Sequence, residues 1–201
     1  MLLILASGNR GKYNEMRELL SPCGVELLFG GEMPAPLEVE ETGDSYLENA
    51  LLKARAWSLA TGLPALADDS GIEVRALNGA PGIHSARVID GSDRDRMLWL
   101  AAQMEGKNDR AARFACSIAV VFPDAKEPLS ITEYCPGSIA DAPAGVSGFG
   151  YDPLFVPDGY DKTFAELGDE IKNKISHRAK AIKGIAERLV SVVKSYAVRS
   201  M

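Results

Sequence analysis

The 201-residue chain is 46% hydrophobic and 25% charged, an ordinary globular balance for one sizeable domain, or a domain with a small lobe, that buries a proper core. Its 22 Lys and Arg against 28 Asp and Glu leave a net charge of −6, which argues against a broad nucleic-acid-binding face but not against a local basic pocket. The cysteines Cys23, Cys116 and Cys135 are odd in number and lack metal-ligand spacing, so they read as reduced core fillers of a cytoplasmic protein, and the apolar opening is too short for a signal peptide or a membrane span.

Residues 2–6 form a buried-strand candidate followed by Ser7-Gly8-Asn9-Arg10-Gly11-Lys12 and then a helical pattern carrying Met16, Leu19 and Leu20. A strand, a glycine-rich turn and a helix start point backbone N–H groups at an anion, and Arg10 and Lys12 add positive charge. This is not a Walker A loop: the glycine spacing differs and Tyr13 follows the lysine. Residues 25–29 read as a second strand. The acidic run 38–41 leads to a helix over 44–61, capped by Asp44 or Ser45, with Leu47, Ala50, Leu51, Ala54 and Leu59 as its apolar stripe and Gly62 as its stop. On that helix Asn49 and Lys53 stand one turn apart and project to one side.

In Pro64-Ala-Leu-Ala-Asp-Asp-Ser-Gly71 a short apolar run ends in two adjacent carboxylates, Asp68 and Asp69. At the end of a buried strand they repel and lose hydration, costs that a divalent cation relieves, and such pairs serve metal-assisted phosphoryl chemistry. The competing reading is a solvated Asp-Asp-Ser-Gly turn. Residues 72–77 alternate and are expected to pair with the preceding strand across a Ser70-Gly71 turn. A loop of small residues over 78–87 carries His84 and Arg87, and an amphipathic helix over 93–104 turns Met97, Leu98 and Ala101 inward. Residues 113–122 and 129–135 are β-rich.

In Ser147-Gly-Phe-Gly-Tyr-Asp-Pro153 the glycines leave the Phe149 ring accessible as a platform for a flat base, with Asp152 beside it. It is not a dinucleotide fingerprint, because residues 153–157 continue as a strand. The chain closes with Lys172-Asn-Lys-Ile-Ser-His-Arg178 and a helix from 179 to about 196, buried through Ile182, Ile185, Leu189 and Val193. Ser176 is a natural N-cap, so His177 and Arg178 occupy a first turn where cations serve the helix poorly, which points to a ligand-facing role.

Together these stretches resemble the inosine triphosphate pyrophosphatase family, which hydrolyses non-standard purine nucleoside triphosphates (ITP, dITP, XTP) to monophosphate and pyrophosphate. The ordered set runs Ser7-Gly-Asn-x-x-Lys12, Glu40-Glu-Thr-Gly43, Glu48-Asn-Ala-x-x-Lys-Ala54, Ala67-Asp-Asp-Ser-Gly71, Gly79-Ala-Pro-Gly82, Gly148-Phe-Gly-Tyr-Asp-Pro153 and Ser176-His-Arg178. Ser7 keeps the hydroxyl of the commoner Thr. The resemblance implies an elongated α/β fold, with a long curved mixed β-sheet flanked by helices and two lobes around a central cleft, in a homodimer. It implies that residues 7–12 and Lys53 hold the triphosphate, that Asp69 is the base that activates water, and that Asp69 shares Mg2+ with Glu40, favoured over Glu41 by register from Thr42-Gly43. Asp68 is then a supporting acid. Phe149 stacks on the base, and Ser70, Gly150, Tyr151, Asp152, Lys172, His177 and Arg178 complete the substrate contacts. The nucleoside triphosphate is the expected partner, with no nucleic acid and no membrane. A pyrophosphatase for dTTP, UTP or modified pyrimidines shares this phosphate machinery and is the nearest rival. A nucleotide sensor that binds without hydrolysis is a second, and an NAD-dependent oxidoreductase lacks its fingerprint.

Overall fold

The computed structural model describes residues 1–199, with side chains through residue 190. The described residues form an α/β arrangement of six strands and five α-helices: β1 (Leu2–Leu5), α1 (Arg10–Leu20), β2 (Glu26–Phe29), α2 (Tyr46–Thr61), β3 (Ala65–Val74), α3 (Asp93–Gln103), β4 (Ala111–Val121), β5 (Leu129–Ile139), β6 (Phe155–Pro157), α4 (Phe164–Ile175) and α5 (His177–Arg199). The strands form one mixed sheet in the order β2-β1-β3-β4-β5-β6. β1 runs parallel to both β2 and β3, and β5 is antiparallel to β6. The chain divides into two compact units, one of residues 1–69, 117–132 and 178 onward, the other of residues 70–116 and 133–177.

In the first unit the crossover from β1 through α1 to β2 and that from β2 through α2 to β3 travel in opposite directions along the sheet. Right-handed crossovers therefore set α1 and α2 on opposite faces. The burial pattern agrees: Ile4, Ala6, Ala65 and Ala67 pack with Ala50, Ala54 and Trp57 of α2 in one cluster. By alternation Leu66 and Asp68 face the other side. α2 starts at Ser45, whose side chain accepts from Glu48 N, and stops at Gly62 in the left-handed conformation. Trp57 is buried where the sequence pattern chose Leu59, which is 89% exposed.

The expected hairpin at Ser70-Gly71 does not form. β3 is one unbroken strand through both residues, and Gly71 is not among the glycines with positive φ that a two-residue turn requires. Ile72 and Val74 are fully buried, so continuing the strand gains more apolar burial than turning. The two acids consequently lie in mid-strand rather than at its end.

In the second unit Ile72 and Val74 join Leu100, Phe114, Leu154, Phe155 and Phe164 in a single core. The edge of β3 there is covered by the following loop, through Val74 N to Ala80 O at 3.3 Å and Ile72 N to Ser85 Oγ at 2.9 Å, which protects an otherwise open sheet edge. α3 buries Met97 and Leu100 and leaves Leu98 exposed. β5 continues past Pro136 to Ile139, its Gly137 against Pro157 of the edge strand β6. A 3-10 turn at Asp152–Leu154 shortens β6 to three residues. α4 was not legible in the sequence, because Gly168 interrupts it with φ 76° and ψ 175°. Of the three cysteines Cys116 and Cys135 are buried and Cys23 is exposed. Val193, expected on the buried face of α5, lies outside the described side chains.

Candidate active site

The first unit gathers charge around β3. Asp68 is fully buried and meets two cations: Lys12 Nζ lies 3.0 Å from its Oδ2, and Arg178 Nε and Nη2 approach the same oxygen at 3.4 and 3.3 Å. Arg178 also donates through Nη1 to Glu15 Oε2 at 2.6 Å. Burial alone raises a carboxyl pKa, but the fields of Lys12, Arg178 and Lys53 hold Asp68 well below the usual carboxylate range.

Asp69 lives in a different environment one residue on. Asn49 Nδ2 donates to its Oδ2 at 3.1 Å, while Asn49 Oδ1 accepts Gly43 N at 2.8 Å, so one buried amide ties α2 to both the acid and the preceding loop. Lys53, one turn along α2 as its spacing predicts, lies 2.5 Å from Glu41 Oε1 and 3.7 Å from Asp69 Oδ1. Burial pushes the Asp69 carboxyl up and Glu41 adds to it, and Lys53, Lys12 and the Asn49 hydrogen bond only partly offset them. Lys53 itself is raised: burial works against its charge, and Asp69, Asp68 and Glu41 outweigh that.

Asp69 and Glu41 thus converge on one cation, the Lys53 ammonium, and the field of that cation does not overcome the burial of Asp69. Two hard oxygen donors so placed suit Mg2+, which binds through one or two carboxylates and keeps waters and substrate phosphates in its remaining positions. Among the described residues there is no cluster of three or more His, Cys, Asp or Glu that would form an all-protein metal cage. Glu40, the acid expected from register, is exposed, and it is Glu41 that turns toward Lys53.

The loop before α1 has the expected strand-turn-helix form. Asn9 caps the helix by accepting Lys12 N at 3.1 Å, and Ser7 Oγ accepts Asn9 N at 3.1 Å. Gly8, Asn9 and Arg10 are exposed and Gly11 is half-buried. Arg10 points away from Lys12's partners: it pairs with Glu32 at 2.5 Å and stacks over Phe29, 4.1 Å from the ring centroid.

The second unit organises the expected base-recognition residues. Lys172 Nζ lies 2.5 Å from Asp152 Oδ2, both side chains 3% exposed, and 4.5 Å from the centroid of the half-buried Phe149 ring. Asp152 Oδ2 also accepts Phe149 N at 2.9 Å. A Cβ on Gly148, which has φ +76°, would sit 2.1 Å from that same oxygen, so glycine is required there by both conformation and space. Tyr151 is buried and donates its hydroxyl to Ser85 O at 2.8 Å; burial pushes its pKa up to about 12. His177 is buried and stacks on Phe114, centroids 4.7 Å apart and planes 11° apart. Ser70 is half-buried in β3, while His84 and Arg87 are both exposed.

Sequence reasoning missed Glu15 and Phe114. Glu15 had a signal: it stands three residues after Lys12 on the same helix, so both reach one side. Phe114 had none beyond its place in an apolar strand. The two units carry different chemistry, carboxylates matched with lysines in the first and an aromatic ring backed by a buried ion pair in the second.

Comparison with known proteins places this arrangement in a lineage. The chain is 51% identical over 194 residues to a dITP/XTP pyrophosphatase of Symbiobacterium thermophilum, covering 95% of this chain and 96% of that protein. It is similar to the structure of a HAM1 protein from Coxiella burnetii, with a TM-score of 0.85, 39% identity and coverage of 95% and 99%. The Staphylococcus aureus Ham1 protein structure gives 0.82, 39%, 94% and 98%. The model of the Ham1 family matches residues 3–188, and this chain belongs to that family.

Proposed function

We propose that this protein hydrolyses non-standard purine nucleoside triphosphates, dITP and XTP foremost and ITP with them, to the monophosphate and pyrophosphate. The observation that carries the proposal is the Glu41–Lys53–Asp69 arrangement: a buried acid beside a second acid, with a long-chain cation between them. The name borne by relatives such as that of S. thermophilum supplies the substrate class.

Asp69, oriented by Asn49 and carrying a raised pKa, takes the proton of the attacking water. The water oxygen bonds to the α-phosphorus, the bond from that phosphorus to the oxygen bridging to the β-phosphate breaks, and pyrophosphate departs with the electron pair. Lys12 and Lys53, with the N–H groups of residues 7–12, bind the triphosphate and stabilise charge on the leaving oxygens. Bound Mg2+, held by Asp69 and Glu41, would neutralise phosphate charge and polarise the water. Asp68 keeps Lys12 and Arg178 in place.

Phe149 stacks on the base, and Ser70, Gly150, Tyr151, Asp152 and Lys172 shape its surroundings. A 6-oxo purine offers an O6 acceptor where adenine offers an amino donor. Arg178 and His177 supply N–H donors to O6, and an adenine amino group facing them is left unsatisfied at a cost of about 1–3 kcal/mol. The same reading carries a homodimer and a cytoplasmic location.

Pyrophosphate release measured over dITP, XTP, ITP, GTP, dTTP and UTP, with and without Mg2+, tests the proposal. Magnesium-dependent release fastest with dITP and XTP is expected. A preference for dTTP or UTP would move the protein to the pyrimidine reading, and binding without release would make it a sensor.

A further inference from the structure

The turn at residues 148–152 is held from three directions, and one of the holding groups has no part in the roles described above. Asp152 Oδ2 accepts Phe149 N at 2.9 Å, and the Tyr151 hydroxyl is fixed on Ser85 O at 2.8 Å. The third tether is Asp93, whose Oδ2 accepts Gly150 N at 3.2 Å. Asp93 opens α3 and lies 57 residues away in the sequence, so the contact is a tertiary one. Its carboxylate is itself aimed: Arg96, one turn along α3, donates Nη2 to Asp93 Oδ1 at 2.8 Å and Nη1 to Gly91 O at 2.7 Å.

We propose that Asp93 is a positioning residue for the Phe149 platform, fixing the ring's orientation through the Gly150 amide. Phe149 and Gly150 are adjacent, with Gly150 at φ +63°, a conformation that glycine adopts without holding it firmly. The turn therefore needs external tethers, and hydrogen bonds anchored on α3 and on the loop at Ser85 provide them, while Asp152 closes the turn from within. One face of the Phe149 ring lies against the Lys172 ammonium at 4.5 Å, so a small rotation of the turn changes how the ring meets both that cation and a stacked base. Stacking energy depends on ring offset and tilt. Loosening the Gly150 tether should thus weaken nucleotide binding more than it slows chemistry. Arg96 serves the same end one step further out, by setting the Asp93 rotamer.

The inference rests on the reading of Phe149 as the base platform, and the test separates the two. KM and kcat for dITP are measured for Asp93→Ala, Asp93→Asn, Phe149→Ala and the double variant Asp93→Ala/Phe149→Ala, together with amide hydrogen exchange over residues 147–152. Loss of one such hydrogen bond is expected to raise KM about fivefold, with kcat little changed and faster exchange at Gly150. Asp93→Asn, which keeps an oxygen acceptor, recovers most of the affinity, and Asp93→Ala adds nothing in the Phe149→Ala background. A KM unmoved by Asp93→Ala while Phe149→Ala raises it overturns the inference and leaves the stacking role standing. A KM unmoved by both overturns the stacking role and the inference with it. Equal losses from Asp93→Ala with and without Phe149 also overturn it, because the carboxylate then acts elsewhere.

Discussion

Asp68 and Asp69 are neighbours in β3 but face opposite sides of the sheet, one matched by Lys12 and Arg178 and the other by Asn49 and Lys53. Strand alternation separates two like charges that a turn would have crowded. It also gives them opposite electrostatics, Asp68 held ionised and Asp69 pushed toward its neutral form.

Substitution should therefore split the pair. Asp69→Asn keeps the acceptor for Asn49 and removes a charge that burial disfavours, so it folds with thermal stability equal to or above the parent. Its pyrophosphate release falls by about 10²–10⁴-fold, the contribution of a general base. Asp68→Asn leaves Lys12 and Arg178 short of a counter-charge in a buried site and costs about 3–5 kcal/mol. Thermal melts beside turnover decide this; an active Asp69→Asn protein would remove Asp69 from the chemistry.

The same contrast appears in acid. Asp68 is more acidic folded than unfolded, so its ionised form stabilises the protein fully above the ordinary 3.8 and that stability is lost as pH falls through the lower folded value. Urea unfolding at pH 6 and at successively lower pH should show a steep acid decline in the parent and a shallower one in Asp68→Asn. An unchanged slope in the variant would place the acid-sensitive group elsewhere.

Most of the fold was readable because its signals are local. Ser45 and Gly62 bracket α2, and the apolar runs of residues 2–6 and 65–67 find two neighbouring strands. The site was readable where its residues share one element: Asn49 and Lys53 at helical spacing do meet Asp69. What failed depended on partners distant in sequence. Ser70-Gly71 looks like a turn until the core around Ile72 and Val74 is assembled. Leu59 and Trp57 are equally apolar, and only the packing of α2 on β1 and β3 selects Trp57. The choice between Glu40 and Glu41 as metal ligand is a separate matter: the two are chemically identical in a strand-free loop, and the Lys53 contact to Glu41 supports Glu41 in that role.

That distinction makes a metal prediction. Glu41→Gln should raise the Mg2+ concentration needed for half-maximal pyrophosphate release by about tenfold or more, since loss of even an outer-shell partner of a metal ligand costs about 10–100-fold. Glu40→Gln, exposed on the same loop, should shift it little. Isothermal titration of Mg2+ into each variant gives a readout independent of turnover. The reverse ranking would return the ligand role to Glu40.

Tyr151 gives the alkaline counterpart. Its hydroxyl loses its proton near the ordinary 10.0 in the unfolded chain and at about 12 in the folded one, chiefly because burial disfavours the phenolate. Between those values the folded state binds more protons, so stability falls as pH rises through that window. Tyr151→Phe removes this slope and, at neutral pH, leaves Ser85 O without its donor, a loss of about 1–3 kcal/mol. Unfolding of both proteins across the window from the ordinary 10.0 to about 12 checks the sign; a parallel decline in the two would assign the alkaline sensitivity to other groups.

Gly168 isolates backbone conformation from packing. Its φ of 76° and ψ of 175° break α4 into two segments, in a region that essentially only glycine occupies. A Cβ there would meet nothing within 4 Å, so Gly168→Ala introduces no clash and tests the dihedral strain alone. The expected cost is about 1–3 kcal/mol, read as a melting temperature lower by roughly 2–10 °C. Lys172 stands on the segment after the break, so any relaxation of the backbone in the Gly168→Ala variant also draws its ammonium away from Asp152 and Phe149. KM for dITP should then rise together with the fall in melting temperature. An unchanged melting temperature would mean that the kink is not required by the fold, and a fall without any change in KM would free the placement of Lys172 from it.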